Sequence, residues 1–241
     1  MSMLRQSFFI HVFIFLFSAQ LFAAPTNSTI DLNSDIYKAT HLQPTRDQVE
    51  SSLHVARNLS LNHYRKQPIN QALSEKIYEH YLASLDPSRL YFLQSDIDEF
   101  EAYRFKLDSA IKTGQLSPAF KIYNRYQTRV LDRLDKQISF LDKKITSLNF
   151  KKDEYINTDR SELPWAKSME ELDDAWRRRI KSAVLSMKLD GSDLEEAKES
   201  LTKRYQNQLK RVLQARSEDA FSAYIFTLTA VFDPHTSYFP P

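Results

Sequence analysis

The sequence predicts an all-α fold, a multi-helix bundle of about seven helices with no sheet in the mature chain. After residue 45, apolar residues recur at steps of three and four instead of alternating, which is the period of an amphipathic helix. Ser or Thr precedes these runs, twice followed three residues later by Glu as a capping box. The 241-residue chain has only two glycines, Gly114 and Gly191, each just beyond one helical pattern and just before a Ser-initiated one, where a left-handed helix C-cap is expected.

The elements follow in order. Thr45 can cap a helix carrying Val49, Leu53, Ala56 and Leu59 or Ser60; Pro68 interrupts, and a second run places Leu73, Ile77, Tyr81 and Leu85 on one face. Ser95 is the expected N-cap of a helix from Asp96 to Thr113, with an imperfect apolar stripe through Ile97, Phe100 or Glu101, Arg104, Leu107 and Ile111. Its acidic first turn (Asp96, Asp98, Glu99) suits the macrodipole and reads as a solvated helix start. Ser117-Pro118 opens the longest pattern, from Tyr123 and Tyr126 through Val130, Leu134, Ile138, Leu141 and Ile145 to Leu148. At 1.5 Å per residue this helix would be about 45 Å long, the backbone of a bundle. Asn149 to Pro164 breaks the period and is the expected hinge, with Phe150, Tyr155 and Ile156 as anchors. The capping boxes Ser168/Glu171 and Ser192/Glu195 start two more helices, through Leu172, Trp176, Ile180 and Val184, and through Ala197, Leu201, Tyr205 and Leu209. Ser217 begins the last, through Phe221, Tyr224, Leu228 and Phe232.

Composition removes several functions. Two glycines cannot furnish a Rossmann turn, a P-loop or a nucleophile elbow. The absence of cysteine excludes disulfides, thiolate metal sites and a cysteine nucleophile, and a formal charge of +2 favours no polyanionic partner. Arg5, the apolar run Phe8 to Phe17 and the small residues of Ser18 to Ala24 read as a signal peptide over residues 1–24, placing the protein in the periplasm with membrane contact only through that segment if it stays uncleaved. Residues 25–44 are polar and aperiodic and read as a flexible leader before a helical domain spanning 45–232.

Two segments echo each other. Leu85 to Phe92 reads LDPSRLYF, and Phe232 to Pro241 reads FDPHTSYFPP. Pro87 and Pro234 each bias the preceding Asp out of the α region, so each Asp-Pro ends a helix and turns the chain into an extended aromatic exit. LDPSRLYFLQSDIDEF and FDPHTSYFPP resemble the two signature segments of the N-terminal helical region of bacterial tail-specific proteases, also called carboxyl-terminal processing peptidases. The resemblance covers roughly residues 40 to 241. It implies structural roles for Asp86, Pro87, Arg89, Tyr91, Phe92, Asp96, Asp233, Pro234, His235, Thr236 and Tyr238. It also implies partners: PDZ and serine–lysine protease domains of the same parent protein, a protein substrate with a C-terminal tail, and an envelope adaptor. Residues 233–241 then form an exit toward a PDZ domain.

No catalytic, cofactor or metal residue is assigned. The six histidines give no HExxH and no paired metal spacing, and His235 reads as ordering the second turn. Arg177, Arg178, Arg179 and Lys181 beside Trp176 read as a helix face completed by acidic neighbours, not as a nucleic-acid surface. The expectation is a helical support for a tail-specific serine protease, with proteolysis carried elsewhere. The alternative is a free-standing periplasmic helical binding or scaffold protein, whose mark would be Tyr238 and Phe239 buried on its own surface.

Overall fold

A computed structural model describes residues 41–240. The signal peptide read over 1–24 and nearly all of the leader lie outside these residues. The described chain forms eight α-helices: α1 Arg46–Leu61, α2 Gln71–Leu85, α3 Gln94–Phe100, α4 Leu107–Thr113, α5 Ser117–Lys144, α6 Met169–Leu189, α7 Leu194–Leu213 and α8 Ser217–Phe232. Two 3₁₀ turns, Glu101–Tyr103 and Ile145–Ser147, extend α3 and α5. The fold is all-α, and among the described residues β structure is limited to one isolated bridge between Leu93 and Ala166. None of the described helices is long and apolar enough to cross a membrane.

Helix starts follow the cap chemistry, with shifts of one or two residues. Thr45 and Gln48 form a reciprocal capping box at α1, at 3.3 and 3.0 Å. Ser168 caps α6, but the box of α7 is Asp193/Glu196, one residue beyond the expected Ser192/Glu195. Ser117 and Ser217 are the first residues of their helices, not the caps. The buried face of α1 is Gln48, Ser52, Ala56 and Leu59, whereas Leu53 is exposed. Just before it, Leu42 is buried and tied to Asn124 by two hydrogen bonds of 2.9 Å.

The expected helix from Asp96 to Thr113 is broken, which accounts for eight helices where about seven were expected. The buried Ser74 hydroxyl donates to Arg104 O (2.8 Å) and accepts the N–H groups of Leu107 (2.9 Å) and Asp108 (3.2 Å). It thus supplies the end of one element and the start of the next, and the chain gains an angle that buries both Leu107 and Ile111. The stripe was imperfect because it belongs to two helices.

Two apolar clusters share α5. The first gathers α1, α2, α4, α8 and the first turns of α5 around Ile77, Tyr81, Ile111, Phe120, Phe221 and Leu228. The second gathers the rest of α5 with α6 and α7 around Leu134, Leu141, Ile180, Val184, Leu201 and Leu209. A helix of this length can therefore serve two cores at once.

Both glycines are left-handed, Gly114 at φ +73° and Gly191 at φ +98°. A Cβ on Gly114 would lie 2.6 Å from Val49 Cγ1, whereas one on Gly191 would meet open space. Gly114→Ala should therefore cost about 2–3 kcal/mol, combining the left-handed penalty with overpacking. Gly191→Ala should cost only about 1 kcal/mol. Urea midpoints of the two variants check the ordering; equal losses would contradict the close approach of α1 to the α4–α5 turn.

Candidate functional site

The first Asp-Pro joint lies where the clusters meet. Leu85 and Phe92 belong to the first core, Leu90 to the second, and Leu93 to a small third group with Ala166 and Leu172. Asp86 ends α2 at φ −131°, ψ 68° and is buried. Its Oδ1 accepts the N–H of Leu90 (2.9 Å), and its Oδ2 accepts those of Tyr91 (2.8 Å) and Phe92 (3.0 Å). One carboxylate therefore satisfies three consecutive donors of a chain that cannot continue its helix. Burial pushes this carboxyl up, against the downward pull of those three N–H groups and of Arg160.

The turn places Arg89 at φ +49°, a left-handed conformation costing a non-glycine residue roughly 1–2 kcal/mol. Side-chain contacts offset the cost. The Arg89 guanidinium donates to Leu163 O and stacks 5.0 Å from the Trp165 ring. Arg160 Nε donates to Ser88 O at 3.1 Å, and Trp176 Nε1 donates to Leu90 O at 2.9 Å. Tyr91 packs on Tyr126 and Trp176, while Phe92 packs on Phe100, Tyr126 and Trp165. Pro87 is exposed; its part is to fix the backbone.

Asp96 corrects the solvated reading of the acidic turn. It is fully buried, and it sits at the third helical position of an α3 whose cap is Leu93, not Ser95. Arg129 grips it with two bonds of 2.8 Å, Arg125 adds a third, and Leu93 N–H donates at 2.9 Å. Burial alone would raise this carboxyl; the guanidinium and N–H donors outweigh it and hold it below the usual carboxylate range. Asp98 and Glu99 are exposed, as a solvated start requires.

The second joint repeats the plan with different donors. Asp233 is buried at φ −158°, ψ 129°, and its Oδ2 accepts Tyr64 Oη (2.7 Å) and Thr236 Oγ1 (3.2 Å). These donors, with His235 N–H at 3.5 Å on Oδ1, hold the carboxyl below its usual range. His235 itself is exposed and contributes its backbone, and Pro234 is exposed. His63 Nε2 lies 2.8 Å from Thr236 Oγ1, and Arg65 N–H donates to His63 Nδ1 at 3.1 Å. The constellation fastens the α1–α2 loop to the end of α8. Tyr238 is half-buried and packs edge-on against Phe221 and Phe226, whereas Phe239 is 84% exposed, so the burial of both rings that would mark the free-standing alternative is met in part by one and not by the other.

Three of the four residues in the basic run of α6 are completed by acids as expected; among the described residues, Arg179 is not. Arg177 meets Glu154 and Asp174, Arg178 meets Asp174, and buried Lys181 reaches Glu154 Oε2 at 2.7 Å. The two guanidinium and ammonium partners of Glu154 bring its carboxyl down to about 2. Of the expected anchors of the 149–164 segment, Phe150 packs on the second core, but Tyr155 and Ile156 are exposed; Glu154 holds the segment instead. Among the described residues no three His, Asp or Glu side chains are grouped to hold a metal ion.

The sequence reading missed Arg125, Arg129, His63, Tyr64 and Arg160. A signal existed for the first two: Arg125, Arg129 and Arg133 recur every fourth residue on α5, and all three reach carboxylates, Arg133 that of Asp173. His63 and Tyr64 had none, since their partners lie about 170 residues away in sequence.

Residues 55–241 match the family described as tail specific protease N-terminal domain. The tail-specific protease of Haemophilus influenzae is 35% identical to the chain over 184 residues, which are 76% of this chain and 26% of that protein. The chain thus spans about a quarter of the length of that relative.

Proposed function

The chain belongs to the family of tail-specific protease N-terminal domains, and from that premise we propose that it is the helical support of an envelope carboxyl-terminal processing serine protease. In this reading its helices help admit a substrate tail and offer a docking face to an adaptor, while peptide-bond hydrolysis belongs to PDZ-linked protease domains of the same parent protein. The observation that carries the proposal is the pairing of family membership with two joints whose carboxylates are wholly engaged in holding backbone and helices. Such groups hold backbone and helices in place. Exposed Phe239, directly after the packed Tyr238, supports an apolar contact beyond the bundle. The envelope location rests on the signal-like pattern of residues 1–24.

An antibody against residues 45–232, applied to envelope extracts, tests this. The proposal expects a species well above 28.3 kDa whose immunoprecipitate degrades a disordered substrate in a tail-dependent way. A species at or below that mass with no associated proteolysis would overturn it. The packing of Tyr238 on the chain's own surface would then favour a free-standing periplasmic binding or scaffold protein.

A further inference from the structure

A cleft of about 670 Å³ opens between the 155–166 segment, α6 and α7. Four guanidiniums face it, those of Arg160, Arg178, Arg179 and Arg204, against the carboxylates of Glu171 and Asp174. Both carboxylates are already engaged: Asp174 by Arg177 and Arg178, and Glu171 by the N–H of Lys167 at 2.8 Å. Among the described residues, Arg160, Arg179 and Arg204 have no carboxylate within ion-pair distance. Arg160 makes only carbonyl contacts with its hydrogen bonds, and Arg179 lies 5.9 Å from the Trp176 ring. Burial, and then the crowding of Arg178 and Arg179, hold the Arg160 guanidinium below its usual value despite the opposite pull of Asp86. The cleft therefore concentrates positive charge that the fold does not neutralise.

A second feature identifies the kind of anion. The wall at Ile156, Asn157 and Thr158 is non-helical, and these residues make no backbone–backbone hydrogen bond among the described residues. N–H and C=O groups without main-chain partners beside a cleft can both pair with an extended peptide, which offers acceptors and donors alike, whereas phosphate oxygens can meet only the N–H groups. Apolar surface from the partly buried Ala175 and Ala183, with Ile156 exposed at the edge, gives side chains a place to rest.

We propose that this cleft binds an extended acidic peptide segment, its carboxylates meeting Arg160, Arg179 and Arg204 and its backbone pairing along Ile156, Asn157 and Thr158. The inference does not rest on the protease-support reading, since capture of the peptide is a property of this chain alone.

The test is fluorescence anisotropy of the full chain with a short fluorescein-labelled peptide of alternating Glu and Leu, beside its Gln-for-Glu counterpart and a labelled oligothymidylate of equal charge. The acidic peptide should bind, and its affinity should fall with added salt. Arg179→Gln with Arg204→Gln should weaken it about tenfold or more, as loss of charge-assisted bonds implies. Thr158→Pro, which deletes one N–H, should also weaken it, whereas Arg57→Gln on the exposed face of α1 should not. Unchanged affinity in the arginine variant with an unaltered circular dichroism spectrum would overturn the proposal. So would equal binding of the Gln peptide, or tighter binding of the oligonucleotide.

Discussion

Asp86→Ala should abolish or nearly abolish cooperative folding. The substitution removes one small side chain and leaves the N–H groups of Leu90, Tyr91 and Phe92 without their acceptor. Leu90 and Phe92 are buried, so water cannot replace the carboxylate for them without opening the joint. Each buried, unsatisfied donor costs about 1–3 kcal/mol, so the two buried ones alone sum to roughly 2–6 kcal/mol. That rivals the whole stability of an ordinary domain, about 5–15 kcal/mol. The loss also propagates, because this turn carries Leu85 and Phe92 into one core and Leu90 into the other. The measurement is convenient: both tryptophans of the chain report on the joint, Trp176 through its bond to Leu90 O and Trp165 through its contact with Arg89. Urea unfolding followed by tryptophan emission should show the midpoint of Asp86→Ala far below wild type, with Asp86→Asn between them because one carbonyl acceptor survives. A midpoint for Asp86→Ala within about 1 kcal/mol of wild type would mean the three bonds contribute little net stability.

The contrast between the two joints shows what a sequence can and cannot announce. Helices were legible because their cause is local: the apolar period, the caps and the helix-ending Asp-Pro all lie within a few residues of their effect. The break between α3 and α4 was not, because its agent, Ser74, sits about thirty residues upstream. The joints were visible as motifs, and the aspartates were named, but their partners were not. Asp86 finds its donors four to six residues on, so its role could follow from the turn; Asp233 needs Tyr64, and no local pattern points there. Asp96 was misplaced in solvent for the same reason. In isolation an Asp in a first helical turn is a solvated residue, and only the packing of α5 across α3 brings Arg125 and Arg129 to it. The arginine spacing on α5 was the readable half of that contact.

Asp96→Asn should destabilise the protein strongly at neutral pH and progressively less in acid. The amide keeps the shape but loses the charge, and its NH₂ faces the donors of Arg129. Breaking a buried pair in this way costs about 3–5 kcal/mol when the surviving charge is sealed from water. Here the Arg129 and Arg125 side chains retain 20% and 35% exposure, and Arg125 keeps Glu99 as a partner, so about 2–4 kcal/mol is the expected loss. The sign of the pH dependence follows from the depressed carboxyl. The folded state favours the ionised form more than the unfolded state does, so the unfolded chain binds a proton first as pH falls. The stabilisation is therefore complete above the unfolded value near 3.9 and is lost as pH drops through the folded one. Urea midpoints of wild type and Asp96→Asn should differ most at neutral pH and converge below about pH 4. A difference that stays constant through the acid range would show that the carboxylate's charge is not what joins α3 to α5. A double-mutant cycle with Arg129→Met then separates the pair from its surroundings: the two losses should overlap instead of adding, because Arg129 spends two of its donors on this one carboxylate.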